Sequence, residues 1–485
     1  MSISRWRTQY RKFKRTLPKD TSEETALSNF LETRIRSNTY RKKVNTQRIS
    51  RNRARAENRR IIKKLRANRG NFVVADNPRL LLFRNKASHI RDTLAPNYES
   101  HFKDIVWRLR NRRTSEIDLR DFSFARNPKG TLKMIRRLVR LASTELDVRI
   151  NFLDSQCDDV APYIVLSQII RTLPPVFSGG KIHPEVAAVL ESVGLSGALG
   201  IGKIMRRKAT RPLVMPFKMR SRTPPRHIRD PDFQLKPQAK EDVSDAFCNT
   251  LNDWLEAYDL ELTPNAEMKL VDSINEALDN AERHGVIGDE KLAGEWLIGG
   301  FSRIYLDDDG PSQIRCSFSI VSVGKSIAET LQTSADDVLE RIKAYAHKHG
   351  GLPKHKENMA LLTTVMALQD GVTRLADASE EGRGGVGMME LVDIFADLGD
   401  TTNDELQSVF TVLSGRSCIR ITRPYRSGRP GAKPHLKELW FNPENDMNSP
   451  PSPEHVFCVA DRFAGTVLSA SFVLDRAFLT QRYDD

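Results

Sequence analysis

Asn275-Glu276-Ala277-Leu278-Asp279-Asn280-Ala281-Glu282-Arg283-His284-Gly285 closes the strongest helix signal in this 485-residue chain. Thr263-Pro264 opens it, with a hydroxyl suited to the N-cap and a proline at the first helical position, and Gly285 supplies the stop. Leu270, Ile274 and Leu278 recur at spacing four and predict the buried stripe. Glu276, Asn280 and His284 also recur at spacing four and predict a polar row along another face. On spacing alone a solvated face accounts for these three residues, so the sequence on either side has to decide.

Downstream, Trp296 to Leu306 and Gln313 to Ser322 read as two strands joined at Asp307-Asp308-Asp309-Gly310, a hairpin signal. Ser322-Val-Gly324-Lys-Ser326-Ile327 follows directly. Its Gly-Lys-Ser triplet is not a Walker A loop, because position 319, where the leading glycine belongs, is serine. Gly382-Arg-Gly384-Gly385-Val-Gly387 then precedes a helical stretch at Met389 to Phe395, the arrangement that lets backbone amides and a helix N-terminus meet phosphate. Ser414-Gly415-Arg416, a strand at Cys418 to Ile421, and the strand-like run Ala464-Gly465-Thr466-Val467 to Leu474 complete the series.

The segment from Asn275 to Gly285 resembles the asparagine box of the GHKL ATPases, the superfamily of gyrase, histidine kinases and anti-sigma-factor kinases. That resemblance implies Glu276 as general base toward the attacking water, Asn280 as the ligand of a Mg2+ ion that bridges the ATP phosphates, and His284 beside the phosphates. The pairing suits the chemistry, since a hard cation takes oxygen ligands and keeps several waters while a carboxylate one turn away accepts the proton. Ser322, Gly324 and Ser326 stand where the family carries its Asp-x-Gly-x-Gly box, with Ser322 in the place of the aspartate that receives the adenine amino group. A serine there lacks the charge-assisted acceptor. Gly382, Gly384, Gly385 and Gly387 resemble the second glycine box, which would make residues 328 to 381 an ATP lid with His347, Lys348, His349 and His355 exposed on it. Gly371-Val-Thr373-Arg374 resembles a lid segment of STAS-linked members, and Thr466 matches the threonine beside the adenine pocket.

Upstream the composition changes. Residues 209 to 240 carry Pro212, Pro216, Pro224, Pro225, Pro231 and Pro237, which predicts an irregular linker and a domain boundary. Before it, Ile117 to Phe124 reads as a strand, Thr131 to Leu146 as a helix, Val148 to Leu153 as a strand, and Val160 to Leu173 and Pro184 to Val193 as helices. This order resembles a STAS domain, the fold of anti-anti-sigma factors, with Val160 where those proteins carry a phosphorylated serine. The expected fold class is therefore α/β: a basic helical arm over 1 to 70, a STAS-like domain over 71 to 208, the linker, and a two-layer GHKL-type ATPase over 241 to 485.

Charge divides along the same lines. The net +14 sums +32 over residues 1 to 240 and −18 over 241 to 485, with +17 in the first seventy residues and +10 over 203 to 240. Clustered Lys and Arg gain affinity for nucleic acid by releasing condensed counterions, which makes Arg41, Lys42, Lys43, Arg51, Arg53, Arg55, Arg59, Arg60, Lys63 and Lys64 candidate phosphate contacts and 203 to 240 a second strip. Aromatic residues are sparse there, so base stacking would be a minor term. Five dispersed cysteines with no C-x-x-C pair point to a reducing, cytoplasmic setting, and no run is long enough for a membrane helix. The expectation is an ATP-binding, slowly hydrolysing protein whose Mg-ATP-driven lid closure regulates engagement of a nucleic acid, with a protein partner at the STAS-like domain and a homodimer also open. A serine/threonine kinase of the anti-sigma type and a pseudo-ATPase scaffold are the competing readings.

Overall fold

The structure, a computed structural model, describes residues 12–18, 21, 29–30, 32–33, 56, 59, 88–96, 115–145, 147–174, 176–177, 179–201, 213–222, 239–284, 295–307, 310–334, 336–349, 355–370, 372, 387–399, 408–425, 427–430 and 437–481. Of the basic arm's candidate residues only Arg59, exposed and helical, lies among them. Arg41, Lys42, Lys43, Arg51, Arg53, Arg55, Arg60, Lys63 and Lys64 lie outside the described residues, as do Gly382, Gly384 and Gly385.

The chain is mixed α/β. In order it forms α1 (His89–Leu94), β1 (Ser115–Leu119), α2 (Pro128–Thr144), β2 (Val148–Phe152), α3 (Ala161–Ile170), α4 (Pro184–Ser192) and β3 (Arg220–Ser221). Then come α5 (Lys240–Glu256), β4 (Leu260–Leu262), α6 (Pro264–His284), β5 (Glu295–Asp307), β6 (Gly310–Val323), α7 (Ile327–Thr330), α8 (Asp336–His349), α9 (His355–Leu368) and α10 (Gly387–Leu398). The chain closes with β7 (Val409–Ser414), β8 (Ser417–Ile421), β9 (Arg429–Pro430), β10 (Lys437–Glu438), β11 (Val456–Cys458), β12 (Gly465–Val473) and β13 (Leu479–Gln481).

A seven-stranded sheet in the order β11-β8-β7-β12-β6-β5-β3 forms the middle layer, and every neighbouring pair in it is antiparallel. Strand periodicity sends alternate residues to opposite faces. Trp296, Ile298, Phe318, Ile320, Val412, Leu468 and Phe472 join a core with α5, α6, α8, α9 and α10. Leu297, Phe301, Val321, Leu413 and Val467 join a second core with the upstream strands and helices.

That upstream layer is a small parallel one. β1 pairs with β2 in parallel, α2 makes the crossover, and residues 176–177 and 179–182 run beside β2 through bridges at Val148–Phe177 and Phe152–Ile182. Its helix α3 buries Tyr163, Ile164, Val165, Leu166 and Ile169 around its whole circumference, as a helix pressed between two layers must. The seven-stranded sheet receives α3 on a row of small residues, Gly299, Ser319, Ser469 and Thr411, aligned across four strands. A Cβ at Gly299 would stand 3.0 Å from Ile164 Cδ1 and 3.6 Å from Val160 Cγ2. Val160 is fully buried there.

From residue 115 onward the helix and strand expectations agree with these elements to within a few residues, except that β1 stops at Leu119, short of the expected Phe124, and most of the expected helical arm over 1 to 70 lies outside the described residues. The proline-rich stretch differs from expectation. Residues 213–222 run along the sheet edge, with Val214 bridged to Arg303 and β3 paired to β5. Met215, Phe217 and Met219 are buried while Pro216 and Lys218 alternate outward. An edge position tolerates Pro216 because no N–H is needed on the open side; Pro212, Pro224, Pro225, Pro231 and Pro237 lie outside the described residues.

Candidate functional site

Thr263 caps α6 as its sequence predicts: the Ala266 N–H donates to Thr263 Oγ1 at 3.2 Å. Leu270, Ile274 and Leu278 are buried beneath the helix. Glu276 and Asn280 are half-buried on its flank, and Asn280 Nδ2 donates to Glu276 Oε1 at 3.0 Å. With its amide nitrogen so engaged, Asn280 offers its carbonyl Oδ1 as an acceptor or cation ligand. His284 ends the helix, and its side chain lies outside the description.

Two sets of contacts orient this flank. On one side Asp279 pairs with Lys240 of α5, and Glu282 accepts from the Trp296 indole N–H at 2.8 Å and pairs with Arg222 at 3.4 Å. On the other, Lys269 near the start of α6 bonds Asp397 near the end of α10 at 2.8 Å. That bond holds the end of α10 against the start of α6. The first turn of α10 has backbone N–H groups without helical partners, which favour negative charge.

The sheet supplies the floor. Trp296, Ser322, Thr466 and Ser414 are cross-strand partners in a continuous row over β5, β6, β12 and β7. Because Trp296 belongs to this row, its bond to Glu282 holds the last turns of α6 over that end of the sheet. Ser322 Oγ donates to the Thr466 carbonyl at 3.4 Å, Ser414 Oγ lies 2.8 Å from Thr466 Oγ1, and the Ile327 N–H donates to Ser414 Oγ at 2.8 Å. Gly465 holds a φ of +114°, and a Cβ there would approach the Ser322 carbonyl to 2.1 Å, so only glycine lets the start of β12 reach this row.

Ser326 precedes α7. Its N–H and its hydroxyl both donate to Glu329 Oε2, at 2.9 and 2.8 Å, and Arg462 pairs with the other carboxylate oxygen. Burial alone would raise the Glu329 pKa, but the Ser326 donors and the Arg462 guanidinium outweigh it and hold the carboxyl below its ordinary value. Asp461, next to Arg462, pairs with Arg136 on α2, so one short loop touches both the Ser326 turn and the upstream layer.

No family model, curated protein or solved structure matches this chain. What the site can do follows from its own donors and acceptors.

Glu276 and Asn280 share one helix flank, and Ser322, Thr466 and Gly324 share one end of the sheet. Ser326 lies at the same end but spends its hydroxyl on Glu329. Gly387 begins α10, while the rest of the glycine stretch lies outside the described residues. Sequence reading missed Ser414, Trp296 and Glu282; only strand register reveals that Ser414 and Trp296 share a row with Ser322. Among the described residues no group of three His, Cys, Asp or Glu side chains is placed to hold a metal ion. A Mg2+ ion would take one or two protein oxygens and fill its shell with water and phosphate, and Asn280 Oδ1 fits that demand. No helix among the described residues is long and apolar enough to cross a membrane.

Proposed function

We propose that residues 241 to 485 form a GHKL-type ATP-binding unit, in which Mg-ATP lies between the Glu276–Asn280 flank of α6, the start of α10 and the strand row carrying Ser322 and Thr466. The observation that carries this reading is the convergence of four segments far apart in sequence. The Lys269–Asp397 bond holds α10 against α6, and the Glu282–Trp296 bond seats the last turn of α6 over the row carrying Ser322 and Thr466. In this reading Asn280 Oδ1 ligates the Mg2+ that bridges the phosphates, Glu276 takes the proton of the attacking water, and the N–H groups at the start of α10 carry phosphate charge. The hydroxyls of Ser322 and Thr466 face the base.

Closure of the segment between α7 and α10 over the nucleotide would give ATP a means of shifting a conformational equilibrium. The Arg462 and Asp461 pairs lie between the Ser326 turn and α2, so they would carry that shift toward the basic half, where a nucleic acid is the proposed partner. In this reading the upstream layer is a STAS-like module whose α3 is buried against this chain's own sheet.

The reading is tested by calorimetric titration of Mg-ATP into the wild-type chain and into Asn280→Ala. Saturable binding that the variant loses is expected. Equal binding by both would remove Asn280 from the site. An absence of binding by the wild type would leave a pseudo-ATPase scaffold, the reading favoured by Ser322 spending its hydroxyl on the Thr466 carbonyl.

A further inference from the structure

Helix α2 carries a charge pattern that no nucleotide site uses. Lys129, Lys133, Arg136, Arg137 and Arg140 are its only charged residues, all basic and all exposed. At 100° per residue they fall within an arc of about 100°, opposite the buried Leu132, Ile135, Leu138, Val139 and Ala142. Two of them tie the helix to the central sheet: Arg136 pairs with Asp461, and Lys129 Nζ sits 4.1 Å over the Phe457 ring. Lys133 and Arg137 lie in the same exposed arc and make no ion pair with any described residue.

The stripe runs from residue 129 to residue 140, about 16 Å at 1.5 Å per residue. The phosphates of one strand wind around the duplex axis, so a straight stripe of this length meets a few neighbouring phosphates rather than a single one. The arc contains no apolar side chain, whereas a protein groove is anchored by buried aromatic or aliphatic groups. The apolar face of α2 is locked in the core, so the helix has nothing to insert into a lipid interface.

We propose that the exposed face of α2 is a sequence-independent contact for the phosphate backbone of a nucleic acid, separate from the basic stretches at 1 to 70 and 203 to 240. The proposal rests on the charge and exposure of α2 and stands or falls apart from the ATP reading.

The test uses the full chain and a fluorescent 20-base-pair DNA duplex, with binding followed by anisotropy across a salt series. Replacing Lys133 and Arg137 by alanine is expected to weaken binding about 10- to 100-fold at low salt and to make the slope of log K against log salt shallower by about 2, since each phosphate contact contributes about 0.9. R341A/K343A removes the same charge from exposed positions on α8, across the central sheet, and is expected to bind as the wild type does. The proposal is overturned if K133A/R137A keeps wild-type affinity and slope, or if both variants lose equally, which would reduce the effect to net charge. Tighter α2-dependent binding to polyglutamate or to phosphatidylserine vesicles than to the duplex would overturn it as well.

Discussion

The Trp296 indole donates to Glu282 across the gap between β5 and α6, and this 2.8 Å bond joins the last turn of the helix to the strand row that contains Ser322. Trp296 is fully buried, so the indole N–H has no solvent to fall back on. Glu282→Ala leaves that donor unpaired and is expected to cost about 1–3 kcal/mol, read from urea unfolding. It should also weaken Mg-ATP binding, because the Asn280 flank loses its seat. Wild-type stability and affinity in this variant would mean the bond does not position the helix.

Glu276 and Asn280 are expected to separate in function. Glu276→Gln keeps a hydrogen-bonding group beside Asn280 but cannot take a proton, so Mg-ATP should still bind while phosphate release falls about 10²- to 10⁴-fold, the usual contribution of a positioned base. Asn280→Ala should lose binding itself. Colorimetric phosphate release paired with calorimetry distinguishes the two, and undiminished hydrolysis by the Gln variant would remove Glu276 as the base.

Much of the fold is legible in the sequence, and for a definite reason. Thr263, Pro264 and the Leu270–Ile274–Leu278 stripe are local signals, and α6 obeys them. The β5–β6 hairpin, α2 and β2 are legible in the same way. What sequence reading missed depends on register between distant strands. Ser414 joins Thr466 and Ser322 only because β7 and β6 flank β12, and Glu282 gains its role only once Trp296 is directly beneath it. The edge segment around Met215, Phe217 and Met219 was hidden for another reason: prolines suggest a linker, yet Pro216, the proline of that run among the described residues, lies exposed beside the sheet edge, where a missing N–H is tolerated.

Asp159 should make stability fall as pH rises. It is fully buried, and burial pushes its pKa up to about 6, against the stabilising bonds from Ser123 Oγ and the N–H groups of Ala125 and Ala161. A folded-state pKa above the ordinary 3.8 means the folded chain binds the proton more tightly. The stabilisation is therefore complete below about pH 4 and lost as pH rises through about 6, a difference of up to about 3 kcal/mol. Asp159→Asn removes the titration, so the stability gap between wild type and variant should shrink or invert between pH 4 and pH 7 in chemical denaturation. Parallel pH profiles for the two proteins would show that Asp159 does not titrate in this range.

Gly299 governs how the upstream layer meets the sheet. The row Gly299–Ser319–Ser469–Thr411 is small throughout, and α3 settles into it until Ile164 Cδ1 stands 3.0 Å from where a Cβ on Gly299 would be. Gly299→Val adds two methyl groups beyond that Cβ, in a strand whose backbone otherwise favours valine. Strand propensity and packing therefore pull in opposite directions. Because α3 is buried on both sides it cannot tilt away without exposing apolar surface, so packing should win and the variant should lose about 1–3 kcal/mol. Ile164→Ala opens space at the same point and by itself should cost about 2–5 kcal/mol. If the two side chains compete for one volume, the double variant will be more stable than the sum of the separate losses predicts, by about 0.5–3 kcal/mol. Strict additivity in urea unfolding would mean that α3 does not rest on Gly299, and the buried small-residue row would then need another occupant.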